Sequence, residues 1–249
     1  MSNNNIILLS RPVVGLLLLL STILIAMILL IDVANLAYAE HQQQPQNVTQ
    51  LIQKLSTPVT SDASALGSSD APVTLIEFGD YQCAACHKFH TDTEDLILTN
   101  LVKTGKVKFL FRDFPILDLP RDSASTLASE ASYCAADQGK YWQYHDKLYN
   151  SWQGENTGWI TKANLTQFAI NIGIKNINKF SQCLDSGKYA AIVADNFNLA
   201  RSIRLAATPS FVLISNSSYT RQQLLEIVGA QPYAVFSDIV NIMNAHRRM

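Results

Sequence analysis

Residues 71–90 read APVTLIEFGDYQCAACHKFH and join a strand-like pattern to a pair of closely spaced cysteines. The first part, residues 71–79, is mostly apolar and rich in β-branched side chains, which predicts a buried β-strand. A helix is expected to begin after Cys83 and to end near residue 102. Four of its positions share one face at helical spacing: Cys86, Phe89, Thr93 and Leu96. A Cys-x-x-Cys motif therefore lies where a strand gives way to a helix.

The spacing within Cys83-Ala84-Ala85-Cys86 is suited to thiol–disulfide exchange. Unpaired N–H groups and the macrodipole at a helix N-terminus favour an anion, so we expect Cys83 to be an exposed, reactive thiolate with a lowered pKa. Cys86 follows one turn later and is expected to point inward, close enough to form a disulfide with Cys83 and to resolve a mixed disulfide.

Two acidic residues lie just before this motif. Glu77 occupies the otherwise apolar strand, six residues before Cys83. If Glu77 faces the core, its pKa is raised by burial and it can exchange protons with Cys86, whereas strand alternation also allows it to point to solvent. Asp80 either shapes the turn or repels the thiolate, and the sequence does not decide between these.

Beyond the motif, the sequence predicts a second strand, a block of helices and a return to strands. The strands are expected at 106–111, 210–215 and 222–229. The helices are expected at 123–137, 140–151, 162–172, 176–185 and 188–205, with a closing helix at 232–246. A sheet interrupted in this way indicates an α/β domain with an all-helical insertion. We assign residues 71–118 and 205–249 to the domain and 119–204 to the insertion.

The N-terminal segment indicates export. No charge occurs between Arg11 and Asp32, and the run at 12–31 would span roughly 30 Å as a helix, about the hydrocarbon thickness of a bilayer. The positive-inside rule places the N-terminus inside and the rest of the chain outside. We therefore expect residues 1–39 to be either a membrane anchor or a signal peptide cleaved after Ala37-Tyr38-Ala39, and 40–70 to be a polar linker.

Charge and cysteine content narrow the class of protein further. The 249 residues carry 19 basic and 20 acidic side chains, so no basic excess favours nucleic-acid binding. Four cysteines are too few for a disulfide-rich scaffold. With Cys83 and Cys86 paired, Cys134 and Cys183 remain, and an oxidising compartment favours a structural disulfide between them. Two buried free thiols or a second redox pair are the alternatives.

Several stretches resemble the DsbA-like members of the thioredoxin superfamily. Besides 71–90 they are FRDFP at 111–115, CAADQGKYWQYHDKLYNS at 134–151, GIKNINKFSQCLDSGKY at 173–189 and ATPSFVLIS at 207–215. The resemblance covers roughly residues 65–245. It implies a thioredoxin fold with an all-helical insertion, acting on the disulfides of exported proteins.

The resemblance also implies roles for single residues. Cys83 matches the family's nucleophile, Cys86 its resolving cysteine and Glu77 its buried acid. Pro209 matches the cis proline, and Thr208 is the residue before it, whose free backbone would pair with an extended substrate. The sequence departs from the family at the central dipeptide, because Ala84-Ala85 offers the thiolate no side-chain donor.

Rival interpretations of the motif are less favoured. Zinc held by Cys83, Cys86, His87 and His90 would need all four ligands within eight residues. The Cys-x-x-Cys-His pattern ending at His87 also matches c-type haem attachment, which would make the protein a membrane-tethered cytochrome. We therefore expect no cofactor and no metal ligand.

The sequence favours an oxidase that introduces disulfides into exported proteins, with an isomerase or reductase on the same fold as the alternative. Its partners would be substrate proteins with thiols or disulfides, and a membrane-bound redox protein that reoxidises it. The domain would be extracytoplasmic, either tethered to the membrane or secreted.

Overall fold

The computed structural model describes Met27, Asp32 and residues 48–59, 64–216 and 224–245. Apart from Met27, the hydrophobic run at 12–31 lies outside the described residues, so the leader or anchor stays a prediction. Across the described ranges, we find no helix long and apolar enough to cross a membrane. The chain divides into two compact units, Met1–Lys54 and Leu55–Met249. The first has a helical stretch at 48–54, and the second holds every described strand.

A five-stranded mixed sheet forms the centre of the second unit, in the order β1-β3-β2-β4-β5. The strands are β1 (Ala65–Leu66), β2 (Val73–Gly79), β3 (Val107–Asp113), β4 (Ser210–Ser215) and β5 (Leu224–Val228). The apolar, β-branched β2 lies in the middle, parallel to β3 and antiparallel to β4, and all of its residues are buried. The sequence did not predict β1, because a two-residue edge strand is too short to show an alternating pattern.

A long helical segment follows the cysteine motif. It comprises α1 (Ala84–Phe89), a π-helical turn at His90–Glu94, α2 (Asp95–Ile97) and a second π-helical turn at Leu98–Val102. Of the four positions predicted to share one face, Cys86, Phe89 and Thr93 are buried, but Leu96 is 45% exposed and Ile97 is fully buried instead. A π-helical turn holds more residues than an α-helical turn, so the buried face advances by one residue.

Five helices lie between β3 and β4, as the pattern predicts: α3 (Ala124–Ala136), α4 (Tyr141–Asn150), α5 (Lys162–Asn171), α6 (Ile177–Asp185) and α7 (Ala190–Ser202). The closing helix is α8 (Tyr233–Ala245). Thr161 caps α5, since its side chain accepts a hydrogen bond from the backbone of Asn164. The Cys134–Cys183 disulfide joins α3 to α6.

The buried apolar residues of the core form two clusters. One contains Phe89, Phe211 and Phe236, and lies under α1, α2 and α8. The other contains Cys83, Cys86 and Tyr81 together with apolar residues of the helical insertion. The insertion therefore packs directly over the cysteine motif, and this places its residues within reach of the candidate site.

Candidate active site

Cys83 and Cys86 lie on the first turn of α1, and both are free thiols in this structure. Cys83 is the N-cap residue, and its carbonyl accepts a hydrogen bond from the His87 N–H at 3.0 Å. The expectation of an exposed Cys83 is wrong, because only 7% of the residue is accessible. Thr208 lies over it, and in the protonated form the Cys83 thiol donates to the Thr208 carbonyl at 3.4 Å. Cys86 is completely buried, so Cys83 keeps the only solvent access of the pair.

The surroundings of the two thiols move their pKa values in opposite directions. A hydrogen bond from the Cys86 thiol is the largest cause that lowers the pKa of Cys83 to about 6, and backbone N–H groups of Cys86 and Ala85 add to it against the effect of burial. Burial raises the pKa of Cys86 well above the usual thiol value, and the neighbouring Cys83 raises it further. Cys83 is therefore the thiolate at neutral pH, and Cys86 holds its proton.

Glu77 faces the core rather than solvent, because it is 1% exposed and both carboxylate oxygens lack a hydrogen-bond partner. In the sheet it lies between Phe111 of β3 and Phe211 of β4. Burial raises the pKa of Glu77 well above its usual value, and the charges of Glu94 and Cys83 add to this. A buried carboxyl group with a raised pKa can store a proton near the thiols.

The Thr208-Pro209 peptide bond is cis, and this loop leads into β4 beside the cysteines. Thr208 is 8% exposed, and its carbonyl contacts Cys83. The Pro209 carbonyl accepts a hydrogen bond from the Gly229 N–H at 2.8 Å. The tertiary structure thus brings together two segments that are more than a hundred residues apart in the sequence.

Asp80 shapes the turn before the motif. Its carboxylate accepts hydrogen bonds from the backbone N–H groups of Gln82 and Leu117, each at 2.9 Å. The Asp80 N–H lies 3.5 Å from Cys86 Sγ. Burial is the main cause that raises the pKa of Asp80 to about 6, and the charge of Cys83 contributes weakly in the same direction. The structure thus supports turn formation as the main role, with a small repulsion of the thiolate.

Sequence reasoning missed the contacts that the insertion makes with the motif. Glu155 accepts a hydrogen bond from the Ala84 N–H at 2.8 Å, between the two cysteines. Trp152 donates its indole N–H to the Gln82 carbonyl at 2.7 Å and stacks on the His87 ring at 4.8 Å. These residues lie about seventy positions from the motif, and no local pattern links them to it.

The metal ligands considered for the motif do not form a group with converging ligand atoms. Among the described residues, one set of His, Cys, Asp and Glu side chains has such an arrangement: His90, Glu94, His145 and Asp146. Only His90 belongs to both sets. His145 and Asp146 come from α4 of the insertion, which is why the sequence pattern around the cysteines did not reveal them.

Comparisons with known proteins agree with this architecture. A family profile described as Thioredoxin matches residues 60–228. Disulfide bond formation protein D of Bacillus subtilis (strain 168) is 29% identical over 153 residues, which is 61% of this chain and 68% of the relative. A probable disulfide bond formation protein D of Bacillus anthracis is 28% identical over 157 residues, covering 63% of this chain and 71% of that protein.

Solved structures with the same architecture include oxidised BdbD from Bacillus subtilis and α-DsbA1 from Wolbachia pipientis. BdbD superposes with a TM-score of 0.62 and 25% identity, over 72% of this chain and 91% of BdbD. For α-DsbA1 the TM-score is 0.64 and the identity 23%, over 74% of this chain and 92% of α-DsbA1, a likeness of fold.

A thioredoxin-like sheet, an inserted helical block and a cysteine pair with opposed pKa shifts define a protein-disulfide oxidoreductase. The chain belongs to the thioredoxin family, and within that superfamily it is a DsbA-like protein. The predicted α/β class with a helical insertion is confirmed.

Proposed function

We propose that this oxidoreductase works as an oxidase that introduces disulfides into exported proteins through Cys83 and Cys86. The observation that carries the proposal is the position of Cys83 at the N-cap of α1 beside the fully buried Cys86, in surroundings that lower the pKa of Cys83 to about 6. Cys83 is then the more acidic thiol of the pair and the better leaving group. Stabilisation of the reduced form makes the oxidised form the stronger oxidant.

The absence of a donor side chain in Ala84-Ala85 is offset by other groups. The Cys86 thiol and the backbone N–H groups of Ala85 and Cys86 stabilise the Cys83 thiolate instead. These donors belong to the helical turn itself, so they are present whatever residues fill the central dipeptide. The departure from the family pattern is therefore compatible with a strong oxidant.

The reaction begins with the oxidised Cys83–Cys86 pair. A substrate thiolate attacks Cys83 Sγ, the disulfide breaks, and Cys86 leaves and takes up a proton. The second substrate thiol, once deprotonated, attacks the substrate sulfur of the mixed disulfide, so a substrate disulfide forms and Cys83 leaves as the thiolate. Two electrons pass to the cysteine pair, and a membrane-bound redox partner accepts them when it restores the disulfide.

Two further residues have proposed roles in this sequence of steps. Burial raises the pKa of Glu77 well above its usual value, and Glu77 supplies the proton that Cys86 takes up. The Thr208-Pro209 loop covers Cys83, and the Thr208 backbone aligns an extended substrate segment beside the sulfur.

We place this activity outside the cytoplasm. The Cys134–Cys183 disulfide suits an oxidising compartment, and the uncharged run at 12–31 is suited to a signal peptide or an anchor. The domain would then be tethered to the membrane or released after cleavage, and it would meet exported substrates as they emerge.

Single cysteine variants test the mechanism in a dithiol-oxidation assay. Cys83→Ser and Cys86→Ser are both expected to abolish dithiol oxidation, because neither variant can form the Cys83–Cys86 disulfide. When a substrate disulfide is supplied instead, Cys86→Ser is expected to accumulate mixed disulfides through Cys83, because the second thiol that would displace the substrate is missing. Unchanged activity of Cys83→Ser would reject the mechanism.

The reduction potential separates an oxidase from its alternatives. A value of about −120 mV supports the oxidase, and a value of about −270 mV favours a reductase. An intermediate value near about −180 mV, together with repair of scrambled disulfides, favours an isomerase.

A further inference from the structure

Apart from the cysteine pair, four side chains with metal-ligating atoms converge where the π-helical extension of α1 meets α4. They are His90, Glu94, His145 and Asp146, and their ligand atoms all lie within 4.8 Å of one another. His90 and Glu94 begin and end one π-helical turn, so both project from the same side of the helix. His145 and Asp146 are consecutive residues of α4. Two donors thus come from each of two elements.

Two of the atoms that could ligate a metal are buried and have no hydrogen-bond partner. His90 Nδ1 contacts Glu94 Oε2 at 2.7 Å, but Glu94 Oε1 and His145 Nε2 have no hydrogen-bond partner. Glu94 is 3% exposed and His145 is fully buried. These two atoms face each other at 3.6 Å, which is an ion-pair distance but too long for a hydrogen bond. Leaving both without a hydrogen bond in the interior costs free energy unless a proton or a cation joins them.

The separation of the two atoms suits a shared cation. Tetrahedral Zn²⁺ with bonds of about 2.0–2.1 Å keeps its ligand atoms roughly 3.3 Å apart. Glu94 Oε1 and His145 Nε2 are 3.6 Å apart, so a shift of a few tenths of an ångström would seat the ion. The ligand atoms of His90 and Asp146 lie within 4.8 Å of these two, so rotation of their side chains toward the ion would complete four ligands.

The next layer of residues holds the histidines in position. The Tyr81 hydroxyl lies 3.1 Å from His145 Nδ1, and both residues are fully buried. When Nδ1 donates its proton to that hydroxyl, Nε2 carries the lone pair, which is the form that ligates a metal. The His90 ring stacks on the Tyr149 ring, with 5.1 Å between the ring centroids. Outer partners of this kind fix ring orientation at metal sites.

We propose that His90, Glu94, His145 and Asp146 bind a divalent transition-metal ion of the Zn²⁺ type. Two imidazoles and two carboxylates are a ligand set that suits Zn²⁺, and their combined charge of about −2 matches the ion when both imidazoles are neutral. Asp146 is exposed, so the ion has a path from solvent. The bound ion would join the extension of α1 to α4 and stabilise the contact between the sheet domain and its insertion.

The test uses the full chain with Cys83 and Cys86 oxidised, so that no thiolate competes for metal. Equilibrium dialysis against Zn²⁺ is expected to leave one ion per chain, and Tm is expected to rise with Zn²⁺ concentration. Glu94→Gln keeps the side-chain shape but removes the charge, and it is expected to weaken binding about 100-fold. Asp92→Asn is the matched control, because Asp92 is an exposed carboxylate in the same turn that pairs with Lys88, and its Zn²⁺ affinity should equal that of the unaltered protein.

Co²⁺ binding to the unaltered protein reports on the type of ligand atoms, so this test does not depend on the folding of a variant. The oxidised protein is expected to show visible d–d bands of a four-coordinate nitrogen and oxygen site, without thiolate-to-cobalt charge transfer. Failure of the oxidised protein to retain Zn²⁺ or to give these bands would overturn the proposal. Retention only by the reduced protein, lost in Cys83→Ser, would also overturn it and would place the metal at the cysteines. If Glu94→Gln, with its fold verified by circular dichroism, bound Zn²⁺ as tightly as the unaltered protein, the proposal would also be overturned.

Discussion

Cys83 and Cys86 belong to one helical turn, yet they differ in access to solvent and in acidity. Cys83 keeps 7% exposure and its pKa falls to about 6, whereas Cys86 is fully buried and its pKa rises well above the usual value. The difference is self-reinforcing, since the proton on Cys86 is the one that stabilises the Cys83 thiolate. Cys83 is therefore the cysteine that reacts with substrate, and Cys86 stays protonated until it exchanges with Cys83.

The residue-scale prediction concerns Glu77. Glu77→Gln preserves shape but cannot give up a proton, so we expect dithiol oxidation to slow by roughly 10²-fold. Rapid-mixing kinetics should show the loss in the step that breaks the Cys83–Cys86 bond, since that step requires protonation of Cys86. Glu226→Gln is the matched control, because Glu226 lies exposed on β5. An unchanged rate for Glu77→Gln would exclude the proposed proton transfer.

At the scale of the elements, the start of α1 is completed by the insertion. Glu155 accepts the Ala84 N–H at 2.8 Å, and Trp152 bonds the Gln82 carbonyl at 2.7 Å. A carboxylate at a helix N-terminus is stabilised by the macrodipole, but so is the Cys83 thiolate. Because both groups lie at the same end of the helix, we expect the charge of Glu155 to influence the acidity of Cys83.

Charge removal at Glu155 tests this sharing. Glu155→Gln keeps an oxygen to accept the Ala84 N–H but removes the negative charge, so we expect the pKa of Cys83 to fall by about 0.5 unit or less. The ultraviolet absorbance of the thiolate, titrated against pH, measures the shift. Glu155→Ala also removes the acceptor, which separates the effect of charge from that of the hydrogen bond. A higher pKa in Glu155→Gln would contradict the argument.

At the scale of the whole molecule, the insertion and the sheet domain share buried polar groups as well as apolar contacts. Arg112 of β3 bonds Asn196 of α7 at 2.8 Å, and the neighbouring Asp113 bonds Asn196 and Tyr133. Such networks tie α3 and α7 to the sheet, because breaking them leaves buried groups unpaired. The cysteines pack against the same insertion, and the lowered pKa of Cys83 couples their redox state to the stability of the domain.

This coupling predicts a pH-dependent difference in stability between the reduced and oxidised proteins. The pKa of Cys83 is about 6 in the folded protein and 9.0 for an ordinary thiol, so its thiolate stabilises the reduced fold fully above about pH 9, and the effect is lost as pH falls through about 6. Tm of the reduced protein relative to the oxidised one should therefore increase by several degrees between about pH 5.5 and about pH 8.5.

Thermal melts across this range measure the effect. The control is Cys83→Ser under reducing conditions, because a serine hydroxyl does not titrate in this pH range. The Tm of this variant relative to the oxidised unaltered protein should not increase with pH. A difference that is flat with pH, or that falls as pH rises, would contradict the lowered pKa of Cys83.

The sequence by itself determined the central strand, the cysteine motif at a helix start, the helical block and the acid at residue 77. Each depends on local pattern: β-branched residues in β2, apolar spacing in the helices, and an acid in an otherwise apolar strand. Only the tertiary structure decided that Glu77 faces inward, that Thr208 covers Cys83, and that the π-helical turn moves the buried face from Leu96 to Ile97.

It also decided that Glu155 reaches the helix start and that His145 meets Glu94. These contacts join residues about fifty to seventy positions apart, and the packing of the insertion sets them. Local propensity acts over a few residues, whereas such long-range contacts form only when buried surfaces fit together, so a single sequence contains no local signal for them.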